Sequence, residues 1–84
     1  MTAREVRDYL LDCGCEDAIV LDEYAAAFAG TTKDGVAVYD YNKMVEVLMG
    51  DGETEEDAKD HIDFNILGAF FGEKTPVILF PPVI

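Results

Sequence analysis

Val6, Tyr9, Leu10 and Cys13 recur at helical spacing and make one apolar stripe. Thr2-Ala3-Arg4-Glu5 has the spacing of a capping box, so a helix should begin here. Gly14 is placed to end it in a left-handed cap. From Cys15 to Glu23 the periodicity stops. The short apolar run Ile19-Val20-Leu21 lies between the acidic pairs Glu16-Asp17 and Asp22-Glu23, and no conformation follows from it. Tyr24 to Thr32 and Val36 to Tyr39 are apolar runs flanking Lys33-Asp34-Gly35, and Asp-Gly in that setting signals a hairpin. Ala25 to Ala27 would also suit a helix. A strand is favoured because small, β-branched and aromatic residues continue to the turn.

Asp40 is a good N-cap for a second helix through Met49, with Tyr41, Met44, Val45 and Leu48 as its apolar face. Gly50-Asp51-Gly52 breaks it. Thr54 offers the next N-cap, followed by Glu55, Glu56 and Asp57, where the helix dipole favours negative charge. The third helix is expected to run to about Phe71 and stop near Gly72. Ala58, Ile62, Ile66 and Ala69 share one of its faces. Pro76 to Phe80 is a continuous apolar run and reads as a buried strand, ended by Pro81-Pro82. The pattern predicts an α+β fold in the order α-β-β-α-α-β. An antiparallel hairpin and a C-terminal strand should share one small sheet with helices packed on it. Residues 1–84 read as one domain, without repeat or linker.

Charge changes this picture most. Eighteen Asp and Glu face six Lys and Arg, a formal net charge of −12 on 84 residues. Such a charge opposes compaction by self-repulsion, and small designed domains sit at magnitudes of about 2–8. The excess points to a partner with a strongly positive surface, and the commonest such surfaces hold nucleic acid. The acids cluster. Glu56, Asp60 and Asp63 lie opposite the apolar face of the third helix, with Glu53 leading in and Asp57 on the flank. Helix neighbours three or four apart are about 5–6 Å apart, a scale similar to phosphates along a strand. Glu16, Asp17, Asp22 and Glu23 form a second acidic group around the connector. A charged helix face is ordinarily only solvated. Against that reading, Lys59 is the sole Lys or Arg between Asp51 and Asp63. Phe64, Leu67 and Phe71 fall on the same side as the acids, while Ile66 and Phe70 face the core. Either the first helix covers that apolar side or it is an anchor beside an acidic field.

Catalytic signals are missing, and no enzyme is expected. The one histidine, His61, sits among Asp57, Asp60 and Asp63 and reads as exposed rather than as a base. Cys13 and Cys15 are too close in sequence for a useful staple and fit a reducing compartment. With His61 they could supply soft metal ligands, but two thiolates one residue apart are not a usual zinc knuckle and no second pair exists. Asp51 to Glu55 lacks the later glycine and glutamate of a calcium loop. No phosphate loop or basic patch is present, so no cofactor, no metal and no direct nucleic-acid binding are expected. Met1 to Asp12 is too charged for a secretory leader, and no apolar run reaches spanning length. A cytosolic location without membrane contact follows, and a monomer is favoured.

Tyr39-Asp40-Tyr41-Asn42-Lys43-Met44, Thr54 to Ala58, His61 to Asn65 and Glu73 to Ile78 together resemble small proteins carried by prophages and other mobile elements of bacteria. The likeness covers roughly the last two thirds of the chain and carries no catalytic motif. In size, acidity and α+β build the chain also resembles anti-CRISPR proteins, particularly acidic inhibitors of type I effector complexes. That resemblance implies inhibition by occupying a DNA-binding or PAM-reading surface of a Cas protein in the host cytoplasm. The expected function is therefore an acidic DNA mimic whose partner-binding residues are the two carboxylate groups. The alternative is a small interaction module of a mobile element whose acidity serves solubility only.

Overall fold

The computed structural model describes residues 1–69 and 72–82. Helix α1 spans Ala3–Asp12 and opens with a complete capping box. The Glu5 N–H reaches the Thr2 hydroxyl at 3.2 Å, and the Thr2 N–H reaches Glu5 Oε1 at 3.0 Å. The Thr2 donors hold the exposed Glu5 carboxyl below its ordinary range. At the other end Gly14 takes φ +78°. This turn lets the Cys15 N–H bond Leu10 O at 2.7 Å and the Gly14 N–H bond Leu11 O at 3.2 Å, the paired closure of a Schellman cap. Of the predicted stripe, Val6 and Leu10 are buried. Tyr9 is half exposed and Cys13 lies on the surface.

The strand expected from Tyr24 begins later. Asp22–Ala27 forms a 3-10 helix kinked at Tyr24, and strand β1 covers only Phe28–Thr31. The reason lies in packing. As a short helix, the segment buries Tyr24, Ala25 and Ala27 together, which strand alternation forbids. Strand β2, Ala37–Asp40, pairs antiparallel with β1, and the register shifts between Phe28 and Gly30. The hairpin turns where expected. Gly35 N–H bonds Thr32 O at 3.0 Å and Thr32 N–H bonds Val36 O at 2.8 Å.

Helix α2 spans Tyr41–Gly50, capped by Asp40, which accepts the Lys43 N–H at 3.0 Å. Tyr41, Met44, Val45 and Leu48 are its buried residues, as the spacing requires. Helix α3 spans Glu55–Ile62, capped by Thr54 through the Asp57 N–H at 3.1 Å. It does not continue regularly to Phe71. At Asp63–Leu67 the chain widens into a π-helical turn that ends at Gly68. The Asn65 side chain donates to the His61 carbonyl at 2.9 Å here. Phe70 and Phe71 lie outside the described residues.

Strand β3, Val77–Leu79, runs parallel to β2, pairing Tyr39 with Ile78. The sheet order is β1-β2-β3, so β2 is central and β3 is an edge. The α2–α3 segment supplies the long crossover that a parallel pair requires. The expectation of a buried strand is corrected. Ile78 packs on the core, but Val77, Leu79 and Phe80 are about half exposed. An unbroken apolar run reads as burial on both faces, whereas among the described residues only the Ile78 face packs on the core.

The main core joins Tyr24, Tyr39, Met44, Leu48, Ala58 and Ile62. A smaller cluster of Val6, Leu10 and Ala25 holds α1 against the 3-10 helix. Phe28 packs against both, with edge-to-face rings 5.7 Å from Tyr9 and from Tyr39. The structure is the α+β domain the pattern predicts, with one 3-10 helix inserted before the hairpin.

Candidate functional site

The acidic side of α3 follows from its core side. Ala58 and Ile62 are fully buried against α2 and the sheet, which turns Glu56, Asp57, Asp60 and Asp63 to solvent. Lys59 offers them little compensation. Its ammonium is 3.1 Å from Glu55 Oε1, one helical turn back, and that partner raises its pKa. Asp63 is held from behind, because the Tyr41 hydroxyl donates to its Oδ1 at 3.5 Å. Burial raises the Tyr41 pKa, and the Asp63 charge adds to the shift.

Glu53 lies apart from the exposed row. Its Oε1 is 3.7 Å from His61 Nδ1, so the expected setting of His61 among Asp57, Asp60 and Asp63 is incomplete. Gly52, at φ +104°, makes this placement by ending α2 with the same paired closure seen at α1.

In the second acidic group, Glu16 and Asp17 are exposed in the turn after Gly14. Asp22 and Glu23 begin the 3-10 helix. Asp22 is not a free charge. Arg7 Nη2 donates to its Oδ1 at 2.6 Å, tying α1 to the 3-10 helix and raising the Arg7 pKa. The two residues stand fifteen apart, so no local pattern could reveal the pair.

Both groups influence a residue that sequence reasoning treated only as apolar. Tyr24 is 2% exposed, and its hydroxyl is buried without a hydrogen-bond partner among the described residues. Burial raises its pKa, and Glu23 and Glu53 add to the effect. One carboxylate from each group thus acts on the same phenol. Tyr24 also lines a cleft of about 270 Å³ with Val20, Leu21, Asp22, Glu23 and Ile66.

Apolar surface continues from the acidic row. Phe64 is 83% exposed and Leu67 41% exposed, so α1 does not cover them. Phe80 stacks on Tyr41 with ring centroids 4.6 Å apart, which sets exposed aromatic surface beside Asp63. Phe71, the third member of the expected apolar side, lies outside the described residues.

Cys13 and Cys15 are free thiols. Among the described residues no group of three or more Cys, His, Asp or Glu is arranged to hold a metal ion. No helix among them is long and apolar enough to cross a membrane. No family model, no characterised protein and no solved structure matches this chain.

Proposed function

We propose that this protein inhibits a host nucleic-acid-binding machine by presenting carboxylates where that machine expects phosphates. The leading target is a Cas effector subunit, and the protein would be a phage or mobile-element anti-CRISPR. The observation that carries this reading is the solvent-facing row Glu56, Asp57, Asp60 and Asp63, whose neighbouring cation Lys59 is engaged by Glu55. Such a row attracts a basic surface and speeds encounter with it. Glu16, Asp17 and Glu23 extend the negative field, while Asp22 is occupied by Arg7. No enzymatic step enters this reading.

The exposed Phe64 and Leu67 favour a second reading, a protein-interaction module held by apolar contact whose acidity serves only solubility. Partner affinity across a salt series, with and without competing duplex DNA, separates the two. The mimic loses affinity steeply with salt and competes with DNA. The module does neither.

A further inference from the structure

The only two cysteines stand on either side of Gly14, whose left-handed backbone turns the chain sharply at the end of α1. The turn sets Cys13 Sγ 3.2 Å from Cys15 Sγ. Cys13 is exposed. Cys15 is half-buried against the small cluster of Val6 and Leu10. It also lines a cleft of about 190 Å³ with Arg7, Leu11, Glu16 and Val20. Arg7 gives one donor to Asp22, and a guanidinium carries five.

From this geometry we propose that Cys13-Gly14-Cys15 is a thiol–disulfide exchange site. Its substrate is a small disulfide, of the glutathione class, lodged against the Arg7 cleft. The site is independent of the acidic face of α3.

Cys13, the exposed sulfur, attacks as thiolate. The substrate S–S bond breaks, one substrate thiolate leaves and takes up a proton, and a mixed disulfide forms on Cys13. Cys15 then gives its proton to water and attacks Cys13 Sγ. The second substrate thiol is released and a Cys13–Cys15 disulfide remains. Two electrons pass from the protein to the substrate disulfide. A ring closed across one intervening residue is strained, and strained, exposed disulfides are the readily reduced ones. The bond therefore acts as a reversible redox couple and adds little as a staple, since it closes almost no loop. In the reduced pair Cys13 raises the Cys15 pKa, and burial adds to the shift, which disfavours Cys15 as the first attacking sulfur.

The test equilibrates the full chain in buffers of reduced and oxidised glutathione, quenches with acid, alkylates with N-ethylmaleimide and weighs the intact protein. The expected oxidised species is lighter by two hydrogens, unalkylated and free of glutathione. Cys13→Ser and Cys15→Ser should each stop at one glutathione adduct, with Cys13→Ser slower by roughly tenfold. Phenylarsine oxide, which needs two adjacent thiols, should bind one per wild-type chain and neither variant. Wild-type protein that takes up two glutathiones, or that only cross-links to a second chain, would overturn the proposal. So would failure to bind the arsenical.

Discussion

The hydroxyl of Tyr39 accepts the Leu21 N–H at 2.9 Å and so joins the central strand to the connector. Tyr39 is fully buried, and the connector has no regular structure of its own to satisfy that N–H. Tyr39→Phe removes the acceptor and strands the donor. The expected cost is about 1–3 kcal/mol, the range for leaving a buried group unpaired. Denaturant titration should show a lower midpoint at an unchanged slope.

Tyr24→Phe should behave differently. The Tyr24 hydroxyl is equally out of solvent but has no partner among the described residues, so its removal strands nothing. The substitution should be neutral or stabilise by up to about 1 kcal/mol. A loss as large as that of Tyr39→Phe would show that a bound water or a ligand in the cleft meets this hydroxyl.

The same burial sets an alkaline limit. Burial raises the pKa values of Tyr24, Tyr39 and Tyr41 above the ordinary 10.0, which means the folded state prefers the neutral phenols. Above the unfolded pKa the folded protein binds more protons than the unfolded chain, so stability falls as pH rises. The contribution is fully present below about pH 10 and is lost above it. A spectrophotometric titration should find part of the tyrosinate signal appearing only together with loss of helical circular dichroism. Smooth ionisation of all four tyrosines before unfolding would contradict this.

Much of this fold was legible because its signals are local. Thr2, Asp40 and Thr54 each cap the helix they precede, and the Tyr41, Met44, Val45 and Leu48 quartet is buried as spaced. Errors arose where tertiary packing chose between local options. Alanines fit a strand or a short helix, and burial of Tyr24 beside Ala27 decided for the 3-10 helix. The run at Val77–Leu79 shows apolar character but cannot show that Ile78 packs on the core while Val77 and Leu79 stay about half exposed. Of the candidate site, the carboxylate row on α3 could be placed from helical spacing alone. The Arg7–Asp22 pair and the shared influence of Glu23 and Glu53 on Tyr24 span distant segments and leave no trace in spacing.

Phe64 distinguishes an anchor from a core residue. At 83% exposure its side chain contributes little burial. Phe64→Ala should change stability by no more than about 0.5 kcal/mol, as for ordinary surface positions. If the apolar surface anchors a partner, the same change should weaken binding by more than about 1 kcal/mol, mostly through faster dissociation. A variant that unfolds would instead place Phe64 in the core.

Charge reversal tests the mimic directly, and the structure dictates which positions to use. Asp63 is unsuitable because it accepts the Tyr41 hydroxyl, and Glu53 because it neighbours His61. Glu56 and Asp60 are exposed on the side of α3 opposite Ala58 and Ile62, so Glu56→Lys with Asp60→Lys should leave the core intact. Partner association should slow, and the remaining affinity should depend less on salt. Wild-type affinity should fall steeply as salt rises, because exposed charges are screened over about 8 Å at physiological ionic strength. Phe64→Ala should act on dissociation and charge reversal on association, which makes the two effects separable on one binding curve. The wild-type chain should displace duplex DNA from its target and bind none itself. Unchanged association after reversal, or joint occupancy of the target by DNA and this protein, would remove the mimic reading and leave the apolar interaction module.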